Sequence, residues 1–276
     1  MKNVRIALGQ MKAVQGDTQT NMAKMERMAA EAADGGADVI CFPELSYTGY
    51  FVKKDRLLEI AETENGEFYR RISRAARENG ICIVAGFAER GLGADIYNTV
   101  IFVDRVGKIA GKARKVYLWK SEKKRFVRGE KFPVFDTEFG RVAILTCYDL
   151  EFPEPARIVA LKGARLIFCP AAWSVPARNR WDLDLMACSL YNIVFTAGAN
   201  FADELCCGAS GVAGPDGSIM VQSRGQKEEI VFADIDLDEV DRQREDIPYF
   251  DDLDGRVLDQ LSGAFEEYQK ERSVFE

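Results

Sequence analysis

The chain has 276 residues, of which 47% are hydrophobic and 29% are charged, a composition typical of a globular protein of enzyme size. Its formal net charge of −7 argues against nucleic acids and anionic membranes as partners, because an acidic body is repelled by both. The first apolar stretch is too short for a signal peptide, and no later stretch reaches the roughly 20 apolar residues of a membrane span. We therefore expect a cytoplasmic protein with no nucleic-acid or membrane partner.

Strand-like and amphipathic helical segments alternate along the first half of the chain. A strand at 4–10 is followed by a helix at 21–34, which ends at a pair of glycines, and by a second strand that runs into Glu44. A helix at 66–79 then leads to a third strand, and two further strands are joined by a glycine-containing turn at 105–108. This order predicts a βαβαβ unit with its own hairpin.

The second half repeats this order of elements. A strand ending at the CYD motif is followed by a helix at 153–162, and the strand GARLIFCPA at 163–171 echoes GADVICFPE at 36–44. A helix over about 178–191 precedes another strand and hairpin. Each unit has too few helices to cover both faces of a sheet, so the two uncovered faces should pack together. The predicted fold is α/β, a four-layer α-β-β-α sandwich within one domain.

The C-terminal part of the chain has a different composition. We assign residues 1–240 to the domain and 241–276 to a tail, which is charged. The tail carries an apolar pattern of helical spacing at Val257, Leu258, Leu261 and Phe265. We expect it to pack on the body or on a neighbouring subunit.

The seven cysteines form no CxxC pair, and the absence of histidine excludes the common zinc-finger patterns. Cys41, Cys82 and Cys169 lie in apolar strand-like segments, where cysteine usually acts as a small hydrophobic residue. Cys206 and Cys207 are adjacent in a predicted loop, and a redox role for them is the alternative to two idle thiols.

Three ionisable residues stand where predicted strands end: Glu44, Lys115 and Cys147. The ends of strands are where side chains from different strands converge on one cavity. A thiol with a pKa of about 8.5 needs a base or a nearby cation to react at neutral pH. A carboxylate in a dry site gains a pKa suited to proton transfer, and an ammonium beside it attracts a developing oxyanion. Glutamate can therefore serve where histidine is absent.

With these motifs the chain resembles the nitrilase superfamily of carbon-nitrogen hydrolases over residues 3–238. The motifs are CFPELSYTGY around Glu44, GKARKVYLW around Lys115, EKKRFVRGE, and RVAILTCYDLEFPE around Cys147. The resemblance implies a catalytic triad of these three residues, and a second glutamate, Glu122, that orients the lysine. It also implies the four-layer sandwich, a carbon-nitrogen hydrolase domain over 1–240 and a homodimer or larger assembly. The loop after Glu122 departs from the family in having Arg-Gly where Pro-Gly is usual.

The implied mechanism is acyl transfer through a thioester. Glu44 takes the proton of Cys147, whose sulfur attacks the carbonyl carbon of an amide. Lys115 and the backbone N–H of Tyr148 stabilise the oxyanion. Ammonia leaves, water hydrolyses the thioester, and no metal or organic cofactor is needed.

The residue four positions after the nucleophile bears on the substrate. Glu151 stands in the stretch where branches acting on carboxylate-bearing substrates place arginine, and it could instead attract an ammonium. An equal alternative is that Glu151 caps the following helix. Trp119, Trp173 and Tyr50 are candidate cavity walls, and core packing explains them equally well.

The motif CYDLEFPE is most similar to aliphatic amidases of the aminopentanamidase and stereoselective kind, near the N-carbamoyl amine amidohydrolases. We therefore expect a small neutral or amine-bearing primary amide as substrate. The enzyme alternatives are an N-carbamoyl amine or amino acid amidohydrolase, an omega-amidase and a nitrilase. The alternative of another class is a catalytically idle sandwich that acts as a binding scaffold.

Overall fold

Two six-stranded sheets form the centre of the protein, in a computed structural model that describes residues 3–273. The strands of the first sheet are β1 (Asn3–Gln10), β2 (Val39–Cys41), β3 (Cys82–Arg90), β4 (Ile96–Val103), β5 (Ile109–Arg114) and β12 (Glu229–Asp236). Those of the second are β6 (Val134–Thr137), β7 (Gly140–Ile144), β8 (Leu166–Pro170), β9 (Phe195–Ala199), β10 (Gly211–Ala213) and β11 (Ile219–Gln222).

Helices cover the outer faces of the sheets and form the C-terminal part. They are α1 (Thr18–Asp34), α2 (Lys54–Ile60), α3 (Glu67–Asn79), α4 (Pro153–Leu161), α5 (Arg178–Asn192), α6 (Asp238–Asp246) and α7 (Gly255–Ser273). The Asp17 side chain caps α1 by accepting the Thr20 backbone N–H at 3.0 Å. Within residues 3–273, none of the helices has the length and apolarity that crossing a bilayer requires.

The two sheets have matching topologies, with strand orders β12-β1-β2-β3-β4-β5 and β11-β10-β9-β8-β7-β6. In the first sheet β1, β2 and β3 are parallel and are followed by the antiparallel strands β4 and β5. In the second, β7, β8 and β9 are parallel and are followed by antiparallel β10 and β11. The predicted duplication of architecture is confirmed.

Apolar side chains pack in three layers. One lies between the first sheet and helices α1 and α3, another between the two sheets, and the third between the second sheet and helices α4 and α5. In the middle layer the fully buried rings of Phe102 and Phe168 lie 6.3 Å apart, centroid to centroid. Cys41 and Cys82 fill the same layer, and Cys169 fills the outer layer of the second sheet. The predicted α-β-β-α sandwich is confirmed.

Three elements of the structure differ from the sequence analysis or were not anticipated by it. Strand β12 crosses from the second half and pairs antiparallel with β1, from Asn3–Asp236 to Gln10–Glu229. Strand β6 and helix α2 were missed because each buries little: Phe135 in β6 and Leu57 in α2 are their buried residues. A weak apolar pattern gives no periodicity to detect.

The C-terminal region divides into two parts. The boundary expected at residue 240 falls within α6, where Val240 is buried, and Phe250 then lies against the guanidinium groups of Arg157 and Arg244. In contrast, every side chain of residues 255–272 is exposed, so α7 presents its apolar stripe to solvent. The predicted helical pattern forms α7. Within the described residues, α6 and the loop that follows it pack on the body, whereas α7 does not.

Substitution of Phe102 tests the packing of the middle layer directly. Phe102→Ala should lower the free energy of unfolding by about 3–5 kcal/mol, because it removes a large buried side chain from between the sheets. Urea denaturation followed by far-UV circular dichroism would measure the change. Leu92→Ala is the control, because Leu92 is 89% exposed. A loss for Phe102→Ala no larger than that of the control would contradict the layer assignment.

Candidate active site

The structure brings together the predicted residues that follow three different strands. Glu44 follows β2 and Lys115 follows β5, both in the first sheet, whereas Cys147 follows β7 in the second. The loops at these strand ends meet where the sheets face each other. The site therefore depends on the stacking of the two sheets, and neither sheet contains it alone.

Lys115 is the centre of a buried ion-pair network. Its Nζ donates to Oε1 of Glu44 at 2.6 Å and to Oε1 of Glu122 at 2.9 Å, and all three side chains are fully buried. Burial alone would lower the pKa of Lys115, but the two carboxylates raise it well above its ordinary value. Lys115 is therefore a fixed ammonium, and the network carries one negative charge in excess.

Glu122 also fixes the loop that follows Lys115. Its second oxygen, Oε2, accepts the backbone N–H of Trp119 at 2.6 Å at the start of the 3-10 turn Lys120–Lys124. The two oxygens of Glu122 thus join the ammonium to the loop beside it. This geometry suits a residue that orients the lysine.

The two carboxylate oxygens of Glu44 have different environments. Oε1 accepts from Lys115 and also from Nδ2 of Asn98 at 2.6 Å. Oε2 is buried and has no hydrogen-bond partner among residues 3–273. Burial raises the pKa of Glu44, and the charge of Glu122 raises it further against the opposing effect of Lys115. One oxygen is held and the other is free to receive a proton.

Cys147 is held in a strained backbone conformation at the mouth of this network. Its φ of 49° is in the left-handed region, which costs a non-glycine residue about 1–2 kcal/mol. It begins the 3-10 turn Cys147–Glu151, so the N–H of Tyr148 lies among the first N–H groups of that turn, which lack acceptors within it. Burial and then Glu44 raise the pKa of the Cys147 thiol well above its usual range, while Lys115 opposes them. The resting sulfur is therefore protonated.

Asp149 was not predicted from the sequence as a site residue. Its Oδ1 accepts the backbone N–H groups of Val116 and Tyr117 at 3.1 and 2.8 Å, and its Oδ2 accepts that of Thr146 at 3.2 Å. Burial raises the pKa of Asp149 to about 7, against the effect of these donors. The side chain joins the loop of Lys115 to the turn of Cys147. Its place in the CYD motif was visible, but its partners Val116 and Tyr117 are distant in sequence.

A cavity of about 570 Å³ opens above Cys147. Its wall includes the predicted residues Tyr50, Trp119, Tyr148, Glu151 and Trp173. The fully buried Glu44, Lys115 and Glu122 are not part of this wall and lie behind the sulfur. A ligand in the cavity therefore meets Cys147 before it meets the ion pairs.

The aromatic wall residues differ in how far they also belong to the core. Trp173 is buried, donates from Nε1 to the carbonyl of Ala177 at 2.9 Å and packs on Trp181. The ring of Trp119 is less buried and packs edge-on against Tyr148, with centroids 4.8 Å apart. Trp173 thus serves both packing and the wall, whereas Trp119 contributes more surface to the cavity.

Glu151 makes no capping hydrogen bond to the first turn of the helix that follows it among the described residues, and a favourable effect of its charge on that helix stays a prediction. The first turn of α4 has no side-chain cap, and the Glu151 carboxylate instead pairs with Arg180 at 2.8 Å. Arg180 lies at the start of α5 and also lines the cavity. This pair could not be predicted from the sequence, because its members are 29 positions apart.

Cys206 and Cys207 are free, buried thiols. Burial raises the pKa of Cys207 to about 11, and Nδ2 of Asn200 donates to its sulfur at 3.2 Å. A high pKa leaves little reactive thiolate at neutral pH. A redox role for this pair stays a hypothesis without a supporting feature.

Residues 5–245 match the model of a family described as carbon-nitrogen hydrolase. The chain belongs to this family. It is 36% identical over 241 residues to a nitrilase of Pyrococcus abyssi, a match that covers 85% of this chain and 90% of the relative. It is 32% identical over 244 residues to the 2-oxoglutaramate amidase of Bacillus subtilis, covering 86% and 93%.

A solved structure resembles this carbon-nitrogen hydrolase closely. It is a mutant of the amidase from Nesterenkonia sp. AN1 that shows the result of Michael addition of acrylamide at the active site cysteine. The TM-score is 0.79 at 28% identity, and the match covers 88% of this chain and 98% of that one. The predicted membership of the nitrilase superfamily is confirmed.

The sequence Arg128-Gly129 departs from the Pro-Gly pattern of the family but retains its glycine. The N–H of Gly129 donates to the carbonyl of Lys115 at 2.7 Å. A Cβ on Gly129 would lie 2.3 Å from the carbonyl oxygen of Arg114. The close approach of this loop to the end of β5 therefore requires glycine.

Gly129→Ala should lower kcat/KM by roughly 10²-fold, because the added methyl group displaces the backbone that carries Lys115. Steady-state kinetics would measure the loss, and thermal unfolding would report whether the fold is retained. Gly263→Ala is a matched control, since a Cβ there meets nothing within 4 Å. Equal activity of the two variants would show that the position of Lys115 does not depend on this contact.

Proposed function

We propose that this carbon-nitrogen hydrolase cleaves small aliphatic primary amides through a thioester on Cys147 and releases ammonia. The observation that carries the proposal is the state of Glu44, whose Oε1 is held by Lys115 while its Oε2 has no partner in the described part of the chain. A buried carboxylate with one free oxygen beside a protonated thiol is arranged to accept that proton.

The first half of the reaction forms the thioester. The proton of Cys147 passes to Oε2 of Glu44 as the sulfur bonds to the amide carbon, and the C=O electrons move to oxygen. Lys115 and the backbone N–H of Tyr148 stabilise this oxyanion, each such donor contributing on the order of 3 kcal/mol. The oxyanion collapses, the C–N bond breaks, and Glu44 gives its proton to the departing ammonia.

The second half returns the enzyme to its starting state. Glu44, again a carboxylate, takes a proton from water as the water oxygen attacks the thioester carbon. The new oxyanion uses the same donors, and its collapse breaks the C–S bond. The sulfur recovers a proton from Glu44, and the carboxylic acid leaves. Lys115 stays an ammonium throughout, because its raised pKa opposes loss of a proton.

The cavity wall supports a neutral substrate among the classes that the sequence favours. Tyr50, Trp119, Trp173 and Leu205 give the wall a largely apolar surface. Glu151 is paired with Arg180 and so is not a free anion that would select an ammonium group. A short aliphatic acyl group suits such a surface better than a charged one.

Two substitutions test the roles of the thiol and the base. Cys147→Ala should abolish ammonia release from butanamide, and Glu44→Gln should lower it by at least about 10²-fold, because the side chain can no longer accept a proton. A coupled assay for ammonia measures both, with far-UV circular dichroism to verify folding. Lys53→Gln at the exposed rim of the cavity is the control for the loss of one charge. Undiminished turnover by folded Cys147→Ala would refute the thioester, and a wild type inert on amides, nitriles and carbamoyl compounds would favour the scaffold alternative.

A homodimer is the assembly that we propose. Helices α4 and α5 expose apolar side chains that the described chain leaves uncovered: Ile158, Leu161, Leu183, Met186, Leu190 and Tyr191. A contiguous apolar face of this kind supports contact with a second copy.

Leu183→Asp should shift the protein from dimer to monomer, because a carboxylate would be buried at the contact without a partner. Sedimentation velocity at several concentrations measures the shift. Leu92→Asp is the control, since Leu92 is exposed outside this face. A wild-type protein that sediments as a monomer at every concentration would rule out the assembly.

A further inference from the structure

A second charged pair lies on the wall of the cavity, outside the buried network. Nη1 of Arg180 donates to Oε2 of Glu151 at 2.8 Å, and both residues line the cavity above Cys147. The Glu151 side chain is 17% exposed and that of Arg180 is 49% exposed. The pair is therefore partly exposed on the cavity wall, whereas the ion pairs of Lys115 are fully buried.

The guanidinium of Arg180 is also placed by an aromatic contact. It lies 5.8 Å from the ring centroid of Trp119, and Trp119 in turn packs on Tyr148 next to the nucleophile. The side chain of Arg180 is thus held between a carboxylate and an aromatic face. Such a contact favours arginine over lysine, because the planar guanidinium can stack and donate at once.

We propose that Glu151 and Arg180 together determine which charge is accepted at the distal end of the substrate, the end remote from the amide group. Each cancels the charge of the other, so the intact pair favours a neutral group at that end of the amide. Loss of Glu151 leaves a cation that attracts a carboxylate, and loss of Arg180 leaves an anion that attracts an ammonium. This inference rests on the proposed amide hydrolysis and adds the residues that set its specificity.

The other cations of the cavity wall do not substitute for Arg180. Among the described residues neither Lys53 nor Lys120 forms an ion pair with Glu151, whereas Arg180 does. Arg125 is occupied by the carbonyl oxygens of Tyr50 and Val52, at 2.6 and 3.2 Å. These three charges act on every variant alike, and a comparison between variants removes their contribution.

Because of Asp184, removing Arg180 and removing Glu151 should have effects of unequal size on substrate preference. It lies one turn beyond Arg180 on α5, and its Oδ2 is buried without a partner among the described residues. Burial and the charge of Glu151 raise the pKa of Asp184 to about 6. Loss of Arg180 leaves two carboxylates uncompensated, whereas loss of Glu151 leaves a cation that still has Asp184 nearby. The effect of removing Arg180 should be the larger.

The test compares three amides that share a four-carbon chain: butanamide, 4-aminobutanamide and succinamic acid. The measured quantity is the ratio of kcat/KM for succinamic acid to that for 4-aminobutanamide. Glu151→Gln should raise this ratio about tenfold, and Arg180→Gln should lower it by more than about tenfold, as expected for an unpaired charge near the ligand. The double variant should return it to within about threefold of wild type, since its wall is again neutral.

Asp241→Asn is the matched control, because it breaks an ion pair of similar length, 2.7 Å to Arg165, away from the cavity. Its ratio should equal that of wild type. Single variants that move the ratio in the same direction, or leave it unchanged, would overturn the inference, as would a double variant that fails to restore it. Wild type without activity on all three amides would instead refute the proposed function.

Discussion

The site depends on the burial of one ammonium between two carboxylates. An unpaired charge in a protein interior costs several kcal/mol, so Lys115 can be buried here because Glu44 and Glu122 both reach it. Each carboxylate is then held by a further donor, Asn98 for Glu44 and the Trp119 N–H for Glu122. The loops after β2 and β5 are thereby fixed to one another. Cys147, which follows a strand of the other sheet, has to lie beside these two loops to be near Glu44 and Lys115.

This network also determines how the thiol becomes reactive. Burial, and then the charge of Glu44, raise the pKa of the nearby Cys147 and keep it protonated despite the cation Lys115. A cysteine paired with a protonated histidine is a thiolate at rest. A chain without histidine cannot use that arrangement. In the proposed reaction, proton transfer to Glu44 accompanies attack on the substrate. The resting protein therefore holds a weakly nucleophilic thiol until a carbonyl carbon is in position.

The fold could be predicted as far as its signals are local. The strands that end at Glu44 and Cys147 are strongly apolar, and the number of predicted strands relative to the helices led to the four layers. The pairing of β12 with β1 could not be predicted, since an apolar strand pattern does not specify its neighbour. The same limit applies to the site. Residue types at strand ends indicated a thiol, a base and a cation, whereas the bridging role of Asp149 depends on Val116 and Tyr117, in the loop that follows a strand of the other sheet.

The ion pairs of the site fall into two groups, the buried pairs of Lys115 with Glu44 and Glu122 and the pair of Glu151 and Arg180 at the cavity wall. The pairs of Lys115 are sealed behind the sulfur, where low dielectric makes each charge strongly dependent on the others. A change there disturbs every member of the network. The pair of Glu151 and Arg180 is partly solvated, so water can compensate a lost partner at modest cost. The proposed division of roles predicts that substrate preference changes at the cavity wall while the base, the cation and the thiol keep their positions.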